Sequence, residues 1–308
     1  MSKKATFEEL LQAGVHFGHL KRKWNPNMAP YIFTEQKGIH IIDLNKTIIK
    51  LDEAASAMKQ IAKSGKKILF VATKKQAKDI VSERVAAVNM PYVTERWSGG
   101  MLTNFATVRK AIRKMSQIDK MEGDGTFKTL SKRERLQVTR QRAKLEKNLG
   151  SIADLTRIPA AMFIVDVKKE HIAVAEARNL GIPVFAMVDT NSDPRQIQFP
   201  IPSNDDASKS IAKILDFITE AIGEGLAERK TDKEKRAEKP AKVEAPAKDA
   251  AKADAPAAAK VETAAPAEVK AEAPAEAKAE APAEVKAEAP AEAKAEAPAE
   301  AKEAEKKD

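Results

Sequence analysis

Apolar positions along this chain alternate between two periodicities. Three short runs have no polar member: residues 68–71 (Ile-Leu-Phe-Val), 161–165 (Ala-Met-Phe-Ile-Val) and 184–188 (Val-Phe-Ala-Met-Val). Such runs suit central parallel strands covered on both faces. Residues 91–93 offer a shorter fourth strand, and residues 31–33 and 39–42 flank 34–38 as a hairpin. Between the runs, apolar residues recur every three or four positions. Ile48, Leu51, Ala55, Met58 and Ile61 form one stripe, which stops at Gly65. Ala77, Ile80, Val81, Val85 and Val88 form a second, and Ala173, Val174, Ala177 and Leu180 a third, ended by Gly181 and Pro183. Ile211, Leu215, Ile218 and Ile222 form a fourth. Each stripe predicts an amphipathic helix. Strands and helices in this order predict an α/β fold with a right-handed, doubly wound parallel sheet.

One segment interrupts the alternation. Phe105, Val108, Ile112 and Met115 make a narrow apolar seam; Val138, Leu145 and Ile152 repeat every seven residues, with Leu149 between, and Gly123-Asp124-Gly125 separates the two sets. Narrow seams with charged flanks predict an inserted antiparallel coiled-coil α-hairpin. The expected organisation is a sheet domain over 1–102 and 151–230, the hairpin over 103–150, and a tail over 231–308.

The tail is mostly Ala, Glu, Lys and Pro, with prolines at 266, 274, 282, 290 and 298. Each proline costs about 3 kcal/mol in a helix interior. A disordered, extended segment is therefore expected, acting as a solubilising spacer or as a docking arm.

Charge adds a partner class. The 308-residue chain carries a formal net charge of +9, but residues 231–308 hold 15 Lys/Arg against 19 Asp/Glu, so the excess lies in the body. Between Arg109 and Lys147 there are 13 Lys/Arg against 5 Asp/Glu. A basic helical pair predicts a grip on phosphates. Candidate contacts are Arg109, Lys110, Arg113, Lys114, Lys132, Arg133, Arg135, Arg140 and Arg142. A helix shows one side to RNA, so about half of these are expected to matter. A second cluster has Lys21, Arg22 and Lys23 followed by Trp24 and Asn25. Cations beside rings and amides suit phosphates and exposed bases, although Trp24 and Tyr31 equally suit packing of this loop on the body. Glu95-Arg96-Trp97 repeats the theme at the base of the hairpin, and contacts from Trp24, Asn25, Arg96 and Asn104 are expected to add shape recognition.

Other chemistries find less support. The chain has no cysteine, and its first residues lack the apolar stretch of a signal peptide. No apolar run approaches the roughly 18 residues of a membrane helix, and a soluble, intracellular protein is expected. Lys74, Asp166 and Asp189 follow predicted strands, where a phosphate- or nucleotide-handling enzyme would place its ligand. Aspartates after strands also cap helices and turns, and neither a Walker-type loop nor a G-x-G-x-x-G fingerprint is present. His16 and His19 lie close in sequence without a third ligand in view, so no metal and no cofactor are expected. A membrane-surface scaffold is the weakest alternative, since no helix pairs a basic face with large exposed apolar residues.

Three motifs carry a resemblance. Residues 14–19 (Gly-Val-His-Phe-Gly-His), with Trp24-Asn25-Pro26, Met28 and residues 39–44 (Ile-His-Ile-Ile-Asp-Leu), resemble the amino-terminal signature of the S-two family of bacterial small-subunit ribosomal proteins. Residues 96–105 (Arg-Trp-Ser-Gly-Gly-Met-Leu-Thr-Asn-Phe) are similar to its central signature, and residues 189–194 (Asp-Thr-Asn-Ser-Asp-Pro) to its third. The three stand in family order within residues 5–228. The resemblance implies a flavodoxin-like sheet with a protruding coiled-coil hairpin. It also implies a non-catalytic role in translation: binding small-subunit ribosomal RNA near the head–body junction and supporting the large S-one protein. It further implies a cytoplasmic, ribosomal location, neighbouring small-subunit proteins as partners, no membrane and no small-molecule substrate.

Overall fold

The computed structural model describes residues 5–237. The expected tail lies outside the described residues from 238 onward.

The body is built on five parallel strands. They are β4 (Ile68–Val71), β5 (Tyr92–Val93), β6 (Ala161–Val165), β7 (Val184–Val188) and β8 (Phe199–Pro202), in the order β5-β4-β6-β7-β8. Numbered within this sheet the order is 2-1-3-4-5, the flavodoxin-like arrangement. Every residue of β4, β6 and β7 is buried, as their unbroken apolar runs require. Helices α2 (Leu44–Lys63), α3 (Lys75–Ala87), α6 (His171–Asn179) and α7 (Ser208–Ala237) cover the sheet. Its two faces define two cores. One holds Phe70, Phe163 and Phe185 with apolar residues of α2, α3 and α7. The other holds Leu69, Met162 and Ile164 with apolar residues of α6 and of the segment 93–155.

An antiparallel ribbon precedes this sheet. Strands β2 (Ile32–Gln36) and β3 (Ile39–Ile42) form the expected hairpin, and β1 (Phe17–Leu20) adds on the other side of β3. A short helix α1 (Phe7–Gln12) comes before it, capped by the Thr6 hydroxyl.

Three elements differ from the sequence expectation. Strand β8 reads Phe-Pro-Ile-Pro, and its prolines are tolerated because it is the edge strand. β1 is half-exposed and so lacks an apolar signature. Helix α7 continues through Lys230, the expected boundary, to Ala237. No proline interrupts it before Pro240. Ion pairs from α2 run along it, Lys59 to Glu224 and Glu228 at 2.8 Å each and Lys63 to Glu228 at 3.1 Å, and reach the extension at Asp232, 3.6 Å from Lys63.

Helices α4 (Phe105–Gly123) and α5 (Lys132–Leu149) occupy the interrupting segment. Gly125 turns the chain at φ 75°, and a complete Ser131–Glu134 capping box opens α5. Ile112 and Leu149 are buried in the second core with Ile152, which falls in a 3-10 turn after α5 rather than in the helix itself. Among the described residues, no helix is long and apolar enough to cross a membrane.

Candidate nucleic-acid interface

Most of the cations of α4 and α5 lie away from their apolar seam. At about 100° per residue, Arg109, Arg113 and Lys120 fall near one line of α4, and Lys110 and Lys114 near another. Ile112, Met115 and Ile118 face the other way and are buried. On α5, Arg133, Arg140, Lys144 and Lys147 line the side away from Leu145 and Leu149. Lys110, Arg113, Lys114, Lys132, Arg133, Arg135 and Arg140 are all exposed, and none has an ion-pair partner among the described residues.

Two of the nine expected cations are engaged internally. Arg142 reaches across to Asp119 at 2.5 Å and along its own helix to Glu146 at 2.8 Å. It joins α5 to α4, a role that sequence could not separate from phosphate contact. Arg109 donates to the Thr156 carbonyl at 3.0 Å, tying the start of α4 to the chain after α5. Lys144 and Lys147, left out of the expected set, share the basic face; Lys147 lies 3.4 Å from Glu95.

The second expected cluster sits on the ribbon. Lys21, Arg22 and Lys23 form an exposed 3-10 turn after β1, and Lys21 pairs with Glu35 of β2 at 2.7 Å. Trp24 is half-buried, its ring centroid 5.1 Å from that of His40 of β3. Asn25 is a cap: its Oδ1 accepts from Asn27 N at 2.9 Å, and its own N–H donates to Thr190 O at 2.8 Å. Arg96 is exposed without an ion-pair partner among the described residues. Asn104 is exposed and accepts from the Thr107 hydroxyl at 2.8 Å.

Glu176 of α6 organises the loop that carries Arg96 and Asn104. Its carboxylate accepts from Trp97 Nε1 at 3.1 Å and from the N–H groups of Gly100, Leu102 and Thr103 at 2.8, 2.9 and 3.2 Å. Burial acts to raise its pKa, but these donors outweigh burial and hold it below the usual carboxylate value.

At the strand ends, where the alternative enzymatic reading would place its ligand, charged side chains meet one another. In this topology ligands enter where the strand order reverses, here between β4 and β6. That point is spanned by Lys74, which lies 3.4 Å from Asp166, 2.9 Å from Asp205 and 2.5 Å from Asp206. Lys74 is 9% exposed and Asp205 0%. Burial, then the negative charges of Asp189 and Asp166, push Asp205 up to about 7. The ribbon packs here too. His19 Nδ1 stands 3.0 Å from Asp189, and the bond to this aspartate raises the pKa of His19. His19 N–H donates to the Thr190 hydroxyl at 2.8 Å. A Cβ on Gly18 would lie 2.6 Å from Thr190 Cγ2, so only glycine permits this approach.

A family model described as Ribosomal protein S2 matches residues 10–225, from the ribbon to α7. The chain belongs to the ribosomal protein S2 family. It is 66% identical over 255 residues to small ribosomal subunit protein uS2 of Flavobacterium johnsoniae, covering 83% of this chain and 99% of that protein. It is 70% identical over 230 residues to the protein of the same name from Phocaeicola vulgatus, covering 75% and 82%. The family is one of ribosomal structural proteins and not of enzymes. Its signatures acquire physical roles here. The first and third meet at Gly18, His19, Asp189 and Thr190, and the central one wraps the Glu176 carboxylate.

Proposed function

We propose that the protein is a structural constituent of the small ribosomal subunit in the bacterial cytoplasm, binding small-subunit ribosomal RNA near the head–body junction. In this reading the segment 103–150 is a coiled-coil arm inserted into a sheet domain of 1–102 and 151–230. The arm grips phosphates through Lys110, Arg113, Lys114, Lys132, Arg133, Arg135 and Arg140. Lys21, Arg22, Lys23, Arg96 and the exposed side of Trp24 make a second contact. Arg109, Arg142, Asn25 and Asn104 act by fixing the geometry of these groups. The body also supports attachment of the S-one protein beside its small-subunit neighbours.

One observation carries the RNA reading. Seven cations are exposed, without carboxylate partners among the described residues, on helices that bury Ile112, Met115 and Ile118 of α4 and Leu149 of α5. Such a face is stabilised by a polyanion through counterion release. The relatives' name, small ribosomal subunit protein, supports the same partner.

The test is retention of small-subunit RNA by the purified chain across a salt series. Contact with about 6–10 phosphates weakens binding by roughly 10³–10⁵ between about 50 and 200 mM salt. Reversing charge at Arg113 and Arg140 lowers both affinity and salt slope. If neither changes, the helices are not the grip. A sucrose gradient of lysate then shows whether the chain travels with small subunits.

A further inference from the structure

We infer that a cleft at the amino ends of β4 and β6 holds one nucleotide, with its phosphate and its base both in contact. Residues 65–67 lead into β4 and residues 154–160 into β6, so the cleft lies at the opposite edge of the sheet from Lys74. The Ala160 N–H donates to the Lys67 carbonyl at 3.0 Å and joins the two walls. The cleft has a volume of about 490 Å³. A lone phosphate does not need that space, whereas sites for small organic molecules occupy about 300–1,000 Å³.

Charge selects an anion. Lys66, Lys67 and Arg157 line the cleft against one carboxylate, Asp154. None of these cations has an ion-pair partner among the described residues. Lys67 Nζ gives one hydrogen bond, to the Asn89 carbonyl at 2.5 Å, and keeps two donors. A fourth cation stands at the rim. The Arg229 guanidinium of α7 lies against Gly65, in the space that a Cβ would fill. The N–H groups of Thr156, Arg157 and Ile158 also have no acceptor among the described residues. Backbone donors beside cations suit phosphate oxygens.

The remaining lining selects a base. Leu155, Ile158 and Ala160 are apolar, and Ile158 is 46% exposed. An inorganic anion gains nothing from such a wall, whereas a nucleobase covers it and offers its other face to a guanidinium plane. The cleft also adjoins the helices that carry the basic face. Arg109, near the start of α4, donates to the carbonyl of Thr156, a residue of the cleft, at 3.0 Å. A smaller hollow lined by Lys67, Asn89 and Ser151 continues it toward β5. The geometry therefore favours an unpaired residue of RNA over a free nucleotide, and that choice of source rests on the RNA reading above.

The test titrates the full chain with a nucleoside 3′,5′-bisphosphate, which carries the base and both flanking phosphates of one RNA residue, and follows binding by calorimetry. One equivalent is expected to bind. Lys66→Gln and Arg157→Gln should each weaken binding by about tenfold, the effect of losing a charge-assisted hydrogen bond. Both side chains are exposed, so neither change disturbs the core. An RNA duplex with one bulged residue should displace the bisphosphate better than the fully paired duplex of the same sequence. Equal displacement by the two duplexes, with the bisphosphate bound and sensitive to both substitutions, keeps the site and makes a free nucleotide its ligand. Absence of saturable bisphosphate binding overturns the site, and so does affinity unchanged in both variants. Displacement by an equal concentration of inorganic phosphate overturns it as well, because the base would then play no part. The bisphosphate is too short to span α4 and α5, so these results stand whether or not charge reversal at Arg113 and Arg140 alters RNA retention.

Discussion

The indole N–H of Trp97 donates to Glu176 Oε1 across 3.1 Å, joining the loop before α4 to the middle of α6. Because the same carboxylate also receives three backbone N–H groups, the base of the two-helix segment depends on one side chain. Glu176→Gln replaces one acceptor oxygen with an NH₂ group that faces donors. The expected loss is about 1–3 kcal/mol of folding stability, the cost of unsatisfied buried donors. Urea denaturation measures it, and a midpoint equal to the parent's would contradict the role.

The same group sets an acid limit. A carboxyl whose pKa is lower in the folded chain than in the unfolded one contributes stability that is fully present above the unfolded value, about 4.3 for Glu. That contribution is lost as pH falls through the folded value. Glu176 is such a group. Stability of the parent should fall between about pH 5 and pH 3, and the Glu176→Gln variant should fall less steeply. Parallel profiles for the two chains would remove Glu176 from the acid response.

Two glycines of α7 should respond oppositely to alanine. A Cβ at Gly225 would stand 2.5 Å from the Lys59 carbonyl oxygen of α2, which is backbone and cannot swing aside. Gly225→Ala should cost roughly 1–3 kcal/mol by forcing α2 and α7 apart. Gly223 has nothing within 4 Å of its would-be Cβ. Gly223→Ala should gain about 0.5–1 kcal/mol through helix propensity. Thermal unfolding of both variants checks the pair, and equal shifts would show that the crossing is looser than the geometry requires.

Arg140 and Arg142 separate RNA contact from internal bracing. Arg140 is exposed without an ion-pair partner among the described residues, whereas Arg142 bridges to Asp119. Arg140→Gln should lower the salt slope of RNA binding by about 0.7–0.9. Arg142→Gln should leave the slope unchanged while lowering the temperature at which helical signal is lost. Filter binding and circular dichroism read the two effects, and an exchange of phenotypes would reverse the assignment.

Legibility in the sequence followed the physics of burial. Strands β4, β6 and β7 were readable because two covered faces demand apolar residues at every position. The helices were readable from their three-to-four spacing. β8 was hidden by Pro200 and Pro202, which signal a loop unless the strand is known to lie at an edge. The positive face of α4 and α5 was legible as charge, but Arg142 looked like its neighbours because Asp119 lies on another helix. Glu176 carried no signal in the sequence, because its partners lie far along the chain in the 97–103 loop. The Lys74 network was legible only in part: Lys74 and Asp166 were placed at strand ends, whereas Asp205 and Asp206 were not. Its members come from three separate stretches of chain, at 74, 166 and 205–206, and the fold puts their charges together.

The packing of α7 on α2 bears on how the protein is made. The body's first long helix must wait for its last before one face of the sheet is covered, so the decisive contacts span almost the whole domain and form late. Yet 71 residues follow Ala237. At about 5–20 residues per second their translation takes roughly 4–14 s, longer than the milliseconds to about a second in which many domains fold. That delay gives the newborn body time to fold while its C-terminal extension is still being synthesised.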